Sequence, residues 1–262
     1  MIIRSSHSKE ELAAFFRRSP GIYLYLIGDL DDQFWNNCTW YSLSDDKEEI
    51  KAVALLFRLF DPPTFIAMSD GNDRDVIDLV DAISPQIPSR LYGHLSVGLL
   101  SRLRDIRVDK DHGEYQRMIL EKAPVLYQDS NIRSLTTDDV SMIEEFYQVA
   151  YPVNWFDISM LVKGCYMGYF DHERLVAISG THIFSPEFGV SALGNIATHP
   201  DFRGRGIGEK LTSNLCYELA KHTDIIGLNV KAANAAAIRT YEKIGFKMLS
   251  AFDECEVDVA VE

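Results

Sequence analysis

The stretch Gly194-Asn195-Ile196-Ala197-Thr198-His199-Pro200-Asp201-Phe202-Arg203-Gly204-Arg205-Gly206-Ile207-Gly208 decides how the rest of the chain is read. It ends a strand, expected over Val190–Thr198, and opens a helix, because Ile207, Leu211, Leu215 and Leu219 follow at four-residue intervals. Gly204, Gly206 and Gly208 alternate at the mouth of that helix and remove side chains where backbone N–H groups must face a ligand. The first turn of a helix carries four unpaired N–H donors, and its dipole favours an anion by about 0.3–1 kcal/mol. Arg203 and Arg205 add positive charge in a chain whose net charge is −13. Together these features describe a site for a phosphate or pyrophosphate.

The spacing narrows the kind of phosphate ligand. No GxxxxGK[ST] string of a Walker loop is present, and the third glycine of a GxGxxG dinucleotide fingerprint is misplaced, since Gly208 follows Gly206 directly after Ile207. The string that fits is Arg203-x-x-Gly206-x-Gly208 behind a strand and His199-Pro200. A second string, Asn234-x-x-Ala237-x-x-x-Tyr241-x-x-x-Gly245-Phe246, follows a further expected strand, Ile225–Val230. The two strings resemble the coenzyme A-binding motifs of the GNAT superfamily of N-acetyltransferases. The resemblance covers roughly Asn131 to Val261.

The resemblance implies a donor, acetyl-CoA, used as a co-substrate, and no metal. Ile196, Ala197 and Thr198 would lie on a strand that splays from its neighbour and bonds the pantetheine arm through its backbone. The amides of Gly204, Arg205, Gly206, Ile207 and Gly208 would hold the pyrophosphate beside Arg203. Asn234 would bond the pantetheine, Ala237 would lie on the same coenzyme-facing helix, and Tyr241 would point at the sulfur as the catalytic acid. A tyrosine near pKa ~10 facing a thiol near ~8.5 leaves full proton transfer uphill by about 2 kcal/mol, so Tyr241 would act largely by hydrogen bonding. Tyr241 also shares a helix face with Ile238 and Ile244, which is the pattern of a core residue. The acceptor is expected to be a small-molecule or peptide amine that attacks the thioester directly. Candidate bases are His182, Glu187 or a water relay, because Asn195 stands where family members can carry an acid. Tyr151, Trp155 and Phe156 are candidates to line the acceptor site. A coenzyme A-binding regulator without turnover, and an acyltransferase with a longer donor, remain open beside this reading.

Composition sets the frame. At 262 residues the chain has room for about two domains at ~150 residues each, and 47% hydrophobic residues make it globular. The longest apolar runs, Ile22–Ile27 and Ala52–Phe57, fall far short of the ~20 residues of a membrane span, so no membrane association is expected. The net charge of −13 without a basic block argues against nucleic acid as a partner and suits a cationic acceptor. Cys38, Cys165, Cys216 and Cys255 stand singly, as free thiols would, and the scattered histidines form no metal-ligand spacing. The opening MIIRSSHSKEEL has no signal-like apolar core, so a cytoplasmic monomer or homodimer is expected.

The fold class read from this pattern is α/β (α+β): two GNAT-like lobes, each a mixed, mostly antiparallel twisted sheet flanked by helices. Residues 1–122 form an accessory or degenerate lobe, 123–130 a linker and 131–262 the catalytic lobe. The first half is read as a helix at Glu10–Arg18, one helix over Ile22–Trp35, strands at Cys38–Leu43, Ile50–Phe60 and Phe65–Met68, and a helix at Asp73–Ile83. Where the phosphate loop would recur stands Ser69-Asp70-Gly71-Asn72-Asp73-Arg74-Asp75, whose three aspartates would repel a pyrophosphate. The second half is read with helices at Val140–Ala150 and Ala235–Ile244, and terminal strands at Phe246–Leu249 and Phe252–Val261.

Overall fold

A computed structural model describes residues 2–5, 7–102 and 106–259. The chain divides into two compact units, one of Met1–Arg117, Lys231–Ala233 and Leu249–Glu262, the other of Met118–Val230 and Asn234–Met248. Each holds a mixed, mostly antiparallel sheet flanked by helices.

In chain order the first unit contains β1 (Ile2–Arg4), α1 (Lys9–Phe16), α2 (Leu24–Gly28), α3 (Asp32–Trp35), β2 (Cys38–Ser44), β3 (Ile50–Phe57), β4 (Thr64–Ala67), α4 (Asp73–Ile83), β5 (Arg90–Ser96) and most of β6 (Ile106–Leu120). Its strands run in the order β1-β2-β3-β4-β5. Among these five strands the described residues pair in parallel between β4 and β5, joined through α4, over the whole of β4, from Thr64 opposite Tyr92 to Ala67 opposite Leu95. The helix α4 exists because Val76, Leu79, Val80 and Ile83 fall on one face, and that face is buried against Leu43, Ala54, Leu56 and Leu91. Each such side chain taken out of water contributes about 1.5–3 kcal/mol. The single helix expected over Ile22–Trp35 is in fact two, α2 and α3. Asp31 interrupts it: its carboxylate accepts the Gln33 N–H at 3.2 Å and so starts α3 as an N-cap.

The second unit contains β7 (Ile132–Ser134), α5 (Val140–Ala150), α6 (Ile158–Lys163), β8 (Met167–Asp171), β9 (Arg174–Ser185), β10 (Val190–Thr198), α7 (Ile207–Leu219), β11 (Ile225–Lys231, as far as Val230), α8 (Ala235–Ile244) and the start of β12 (Phe246–Val259). The order is β11-β10-β9-β8-β7, with β10 and β11 parallel and joined through α7. One apolar cluster joins Leu193, Leu211, Leu215, Leu228 and Phe246 with Tyr241 and Ile244, which seats α7 and α8. Another joins Leu135, Ile143, Phe146, Tyr166 and Ile178, which seats α5. The terminal strand runs unbroken from Phe246 to Val259 where two were expected, and Val261, the expected end, lies outside the described residues.

Residues 121–131 form neither helix nor strand, yet they are tied to α7. Ser213 Oγ donates to the Val125 carbonyl at 2.6 Å and accepts its N–H at 3.1 Å, and the Asn214 amide makes the same reciprocal pair with Tyr127 at 2.9 and 2.7 Å. These bonds account for two polar side chains buried in α7.

The entry to α5 is built from charge. Thr136 and Asp139 form a capping box, and Arg133 grips the Asp139 carboxylate with two nitrogens at 2.7 and 2.9 Å. The Arg133 hydrogen bonds hold the Asp139 carboxyl at about 2, below its ordinary value. A carboxylate held low stabilises the fold above the unfolded value near ~4 and stops doing so as pH falls through the folded value. Asp139→Asn is therefore expected to lower stability by about 1 kcal/mol at pH 7, with the difference vanishing as pH falls toward 2. Urea denaturation of both proteins across that range checks it.

Candidate functional site

The site is built where β10 loses one neighbour. Val190–Leu193 pair in parallel with Ile225–Leu228, and the parallel ladder ends there, although β10 runs on to Thr198 and β11 to Lys231. On its other side β10 stays paired with β9, and the ladder slips twice. Ala192 faces Ile183 but Leu193 faces Thr181, which leaves His182 as an extra residue of β9. Gly194 faces Gly180 but Ala197 faces Ile178, which sets Asn195 and Ile196 against Ser179 alone. The second slip restores the register that the first one broke.

Asn195 carries the bend, with φ of 53° in the left-handed region that asparagine tolerates better than most residues. Its carbonyl and both polar atoms of its side chain are held. Tyr147 Oη donates to its carbonyl at 2.5 Å, Trp155 N–H donates to Oδ1 at 3.1 Å, and Nδ2 donates to Tyr166 Oη at 2.9 Å. Phe156 stands against both tyrosines, its ring centroid 5.6 Å from that of Tyr147 and 5.7 Å from that of Tyr166. Burial pushes both phenols above their ordinary value, so they remain neutral hydrogen-bonding groups.

Past the bend, the His199 N–H bonds the Val176 carbonyl at 2.8 Å. In an antiparallel ladder alternate residues face the partner strand, so Ala197 is in phase with His199. Ile196 and Thr198 then direct their backbone groups away from β9, toward the side from which β11 has parted. The loop that follows is fixed by its own cations: Arg203 Nε donates to the Thr198 carbonyl at 3.0 Å and Arg205 Nη2 to the Asp201 carbonyl at 2.9 Å. The Phe202 ring has the guanidinium of Arg205 4.8 Å from its centroid and that of Arg174 5.5 Å from it. Gly204 and Gly206 have φ of 76° and 75°, which a side chain would strain. Gly206 is the N-cap of α7 and offers no capping side chain to the first-turn amides of Ile207 and Gly208.

Asn234 caps α8, its Oδ1 accepting the Ala237 N–H at 3.2 Å. Tyr241 is buried one turn further along the helix from Ala237, with its ring centroid 5.9 Å from that of Phe246. Ile196, Ile207, Ala237 and Tyr241 share one apolar cluster, so the structure gathers residues from both sequence strings. His182 sits beside the bend, its ring against Gly194. Glu187 is exposed in the turn before Val190, at the opposite end of β10 from Asn195, and is not brought to the site. Of the three aromatic candidates, Trp155 and Phe156 meet the bend, and Tyr151 packs against the same cluster as Phe156. Tyr147 and Tyr166 escaped the sequence reading. Tyr166 left one trace, Gly180 on β9, where a Cβ would lie 2.1 Å from its ring.

The arrangement is a bent strand, a left-handed glycine loop and an uncapped helix start, which together suit a ligand with an extended arm and an anionic group. The family described as FR47-like protein matches residues 166–256. A ribosomal protein bS18-alanine N-acetyltransferase of Escherichia coli K12 is 30% identical over 122 residues, which are 45% of this chain and 80% of that protein. The chain belongs to the GNAT superfamily of N-acetyltransferases. A mycothiol acetyltransferase of Tsukamurella paurometabola is 35% identical over 97 residues, 36% of this chain, and the match spans only 33% of that relative's length. The solved structure of a GCN5-related N-acetyltransferase from Sphaerobacter thermophilus shares the fold, with a TM-score of 0.60 at 12% identity over 99% of this chain and 96% of that one.

The bend depends on Asn195 twice, through its backbone and through its amide. Asn195→Ala leaves the Trp155 N–H and the Tyr166 hydroxyl without their partner and puts an alanine at positive φ, so a loss of about 2–4 kcal/mol is expected. Thermal and urea unfolding check it, and Asn195→Gly is expected to recover the backbone share only.

Proposed function

We propose that the chain is an acyl-CoA-dependent N-acetyltransferase that moves an acetyl group from acetyl-CoA to a primary amine. The observation that carries this reading is the end of the β10–β11 ladder at Leu193–Leu228, beside a glycine loop that leads into the uncapped N-terminus of α7. Membership of the superfamily supports the donor. The E. coli relative named for acetylating an alanine of a ribosomal protein supports an amine nitrogen as acceptor.

In this reading the pantetheine arm lies along Ile196–Thr198 and bonds the backbone groups that face away from β9. The amides of Gly204, Arg205, Gly206, Ile207 and Gly208 hold the pyrophosphate, and Arg203 and Arg205 add charge from the loop rim. Asn234, with Oδ1 engaged on the α8 cap, donates from its Nδ2 to the arm. Ala237 leaves room on the same helix. A backbone N–H of the bent strand polarises the thioester carbonyl. The amine nitrogen bonds to the carbonyl carbon, the carbon–sulfur bond breaks, and Tyr241 hydrogen-bonds and protonates the leaving sulfur.

The same reading makes residues 131–262 the catalytic lobe and 1–122 a GNAT-like lobe that has lost its donor site. The strand–helix–strand unit β4-α4-β5 repeats the order of β10-α7-β11, but β4 pairs along its whole length with both neighbours and has no register shift. Its loop spends the Gly71 N–H on Ser69 Oγ, and Asp73 and Asp75 stand in the first turn of α4, where they oppose an anion.

Calorimetric titration of acetyl-CoA is expected to give one site per chain. Gly206→Asp, which puts a carboxylate where the pyrophosphate should bind, is expected to weaken affinity by roughly tenfold or more. Thiol release in an amine screen then identifies the acceptor. Two sites would restore a donor site to the first lobe, and no binding at millimolar acetyl-CoA would overturn the reading.

A further inference from the structure

We propose that His182 is the proton acceptor for the incoming amine, and that Asn195 positions it. This rests on the acetyltransferase reading above. The paired slips in the β9–β10 ladder point to it. A lone bulge would leave every later residue of β10 out of step with β9, yet here His182 is expelled from one strand and the Asn195 region from the other within a few residues, and the register is regained at Ala197–Ile178. Bulges give up ladder hydrogen bonds and re-aim side chains, and they recur beside active sites. The segments freed by these two meet: the His182 ring lies against Gly194, next to Asn195, and the Asn195 side chain acts on the ring against the effect of its burial.

Space is reserved for the ring. A Cβ on Gly194 would lie 2.2 Å from the imidazole, and no positive φ requires glycine there. Nε2 is buried and has no hydrogen-bond partner among the described residues. A buried ring nitrogen left without a partner destabilises the fold, and such a group in a native structure calls for a functional account. Burial holds the ring below the ordinary histidine value, opposed by the Asn195 bond, so near neutrality it is uncharged and able to take a proton. Among the described residues, the influences on the ring are its burial and the Asn195 side chain. The titratable side chains bonded to Asn195 are Tyr147 from α5 and Tyr166, just before β8, both phenols raised by burial and neutral through the working range. Asn195 itself cannot hold a proton, and Glu187 lies at the far end of β10.

The step balances. The incoming ammonium first gives one proton to His182 Nε2, directly or through one water. The freed nitrogen pair then bonds to the carbonyl carbon as the carbon–sulfur bond breaks, the second nitrogen proton leaves to water, and the sulfur receives the Tyr241 proton. Exchange with solvent then returns both residues to their starting states.

The test compares the full chain with His182→Gln, which keeps a polar amide but cannot take up the proton. Acetyl-CoA affinity, read by calorimetry, is expected to stay within about twofold, since the neighbours of the ring, Gly194 and Asn195, are not residues assigned to the donor. With benzylamine as probe acceptor, kcat is expected to fall roughly 100-fold at pH 7. The loss should shrink as pH rises and the amine deprotonates in solution. With hydroxylamine, which is already the free base at neutral pH, the two proteins should differ little. Nitrogen NMR of the wild-type ring supplies a readout that needs neither a variant nor turnover: a neutral imidazole at pH 7 whose Nε2 resonance moves when acetyl-CoA is added. A ring protonated at pH 7, an Nε2 resonance indifferent to saturating acetyl-CoA, or an equal loss with both nucleophiles would overturn the proposal. Failure of the wild type to bind acetyl-CoA overturns the acetyltransferase reading beneath it and is recognised separately by the calorimetry.

Discussion

A strand that must satisfy two neighbours of opposite direction can leave one of them only if something replaces the lost ladder. In this chain the replacement is the side chain and carbonyl of Asn195. Its backbone turns through positive φ just past Gly194, where the parallel pairing with β11 has ended, and Tyr147, Tyr166 and the Trp155 amide take up its carbonyl, Nδ2 and Oδ1. Without those three bonds a buried amide and a buried carbonyl would be unpaired, and regular pairing of β10 with β11 would be the cheaper structure. The bend therefore precedes everything that follows it in the chain. It turns the backbone groups of Ile196 and Thr198 off the β9 ladder, and it delivers His199-Pro200 to the start of the glycine loop.

That dependence explains which parts of the molecule were legible in sequence. Helices with a strong apolar face and local caps were readable to the residue: Asp73–Ile83, Val140–Ala150 and Ala235–Ile244 coincide with α4, α5 and α8. Their signals lie within one turn, in Thr136 and Asp139 for α5 and in Asn234 for α8. The glycine loop was legible for the same reason, since positive φ at Gly204 and Gly206 is a local demand. What could not be read is set by partners distant in sequence. A register shift belongs to two strands jointly, so neither His182 nor Asn195 announces itself as a bulge. The tyrosines that hold the bend come from 48 and 29 residues away along the chain. The break between α2 and α3 was missed although its signal is local, because Leu24, Leu26, Ile27 and Leu30 before it and Phe34 and Trp35 after it outweighed the aspartates between them in the periodicity.

The two units carry the comparison further, because they share an order of elements and differ in what interrupts it. In each, a strand passes through a loop into a helix and returns as a parallel neighbour. In the first unit the residues of β4 pair with β3 on one side and β5 on the other without a shift, so its backbone is fully consumed by the sheet. Stability is then greatest and binding capacity least, for a backbone amide cannot serve a ladder and a ligand together. In the second unit the same topology gives up ladder bonds along Ile196–Thr198 and adds buried hydrogen bonds around Asn195 in exchange. The loops follow suit: left-handed glycines and two arginines after β10, aspartates after β4. A helix start preceded by a fully paired strand, with its own carboxylates in the first turn, has its dipole already answered. A helix start preceded by a stretch paired on one side only and capped only by glycine does not, and it is the coincidence of both conditions in one unit, more than either string of residues, that marks where an anionic, extended ligand would be held.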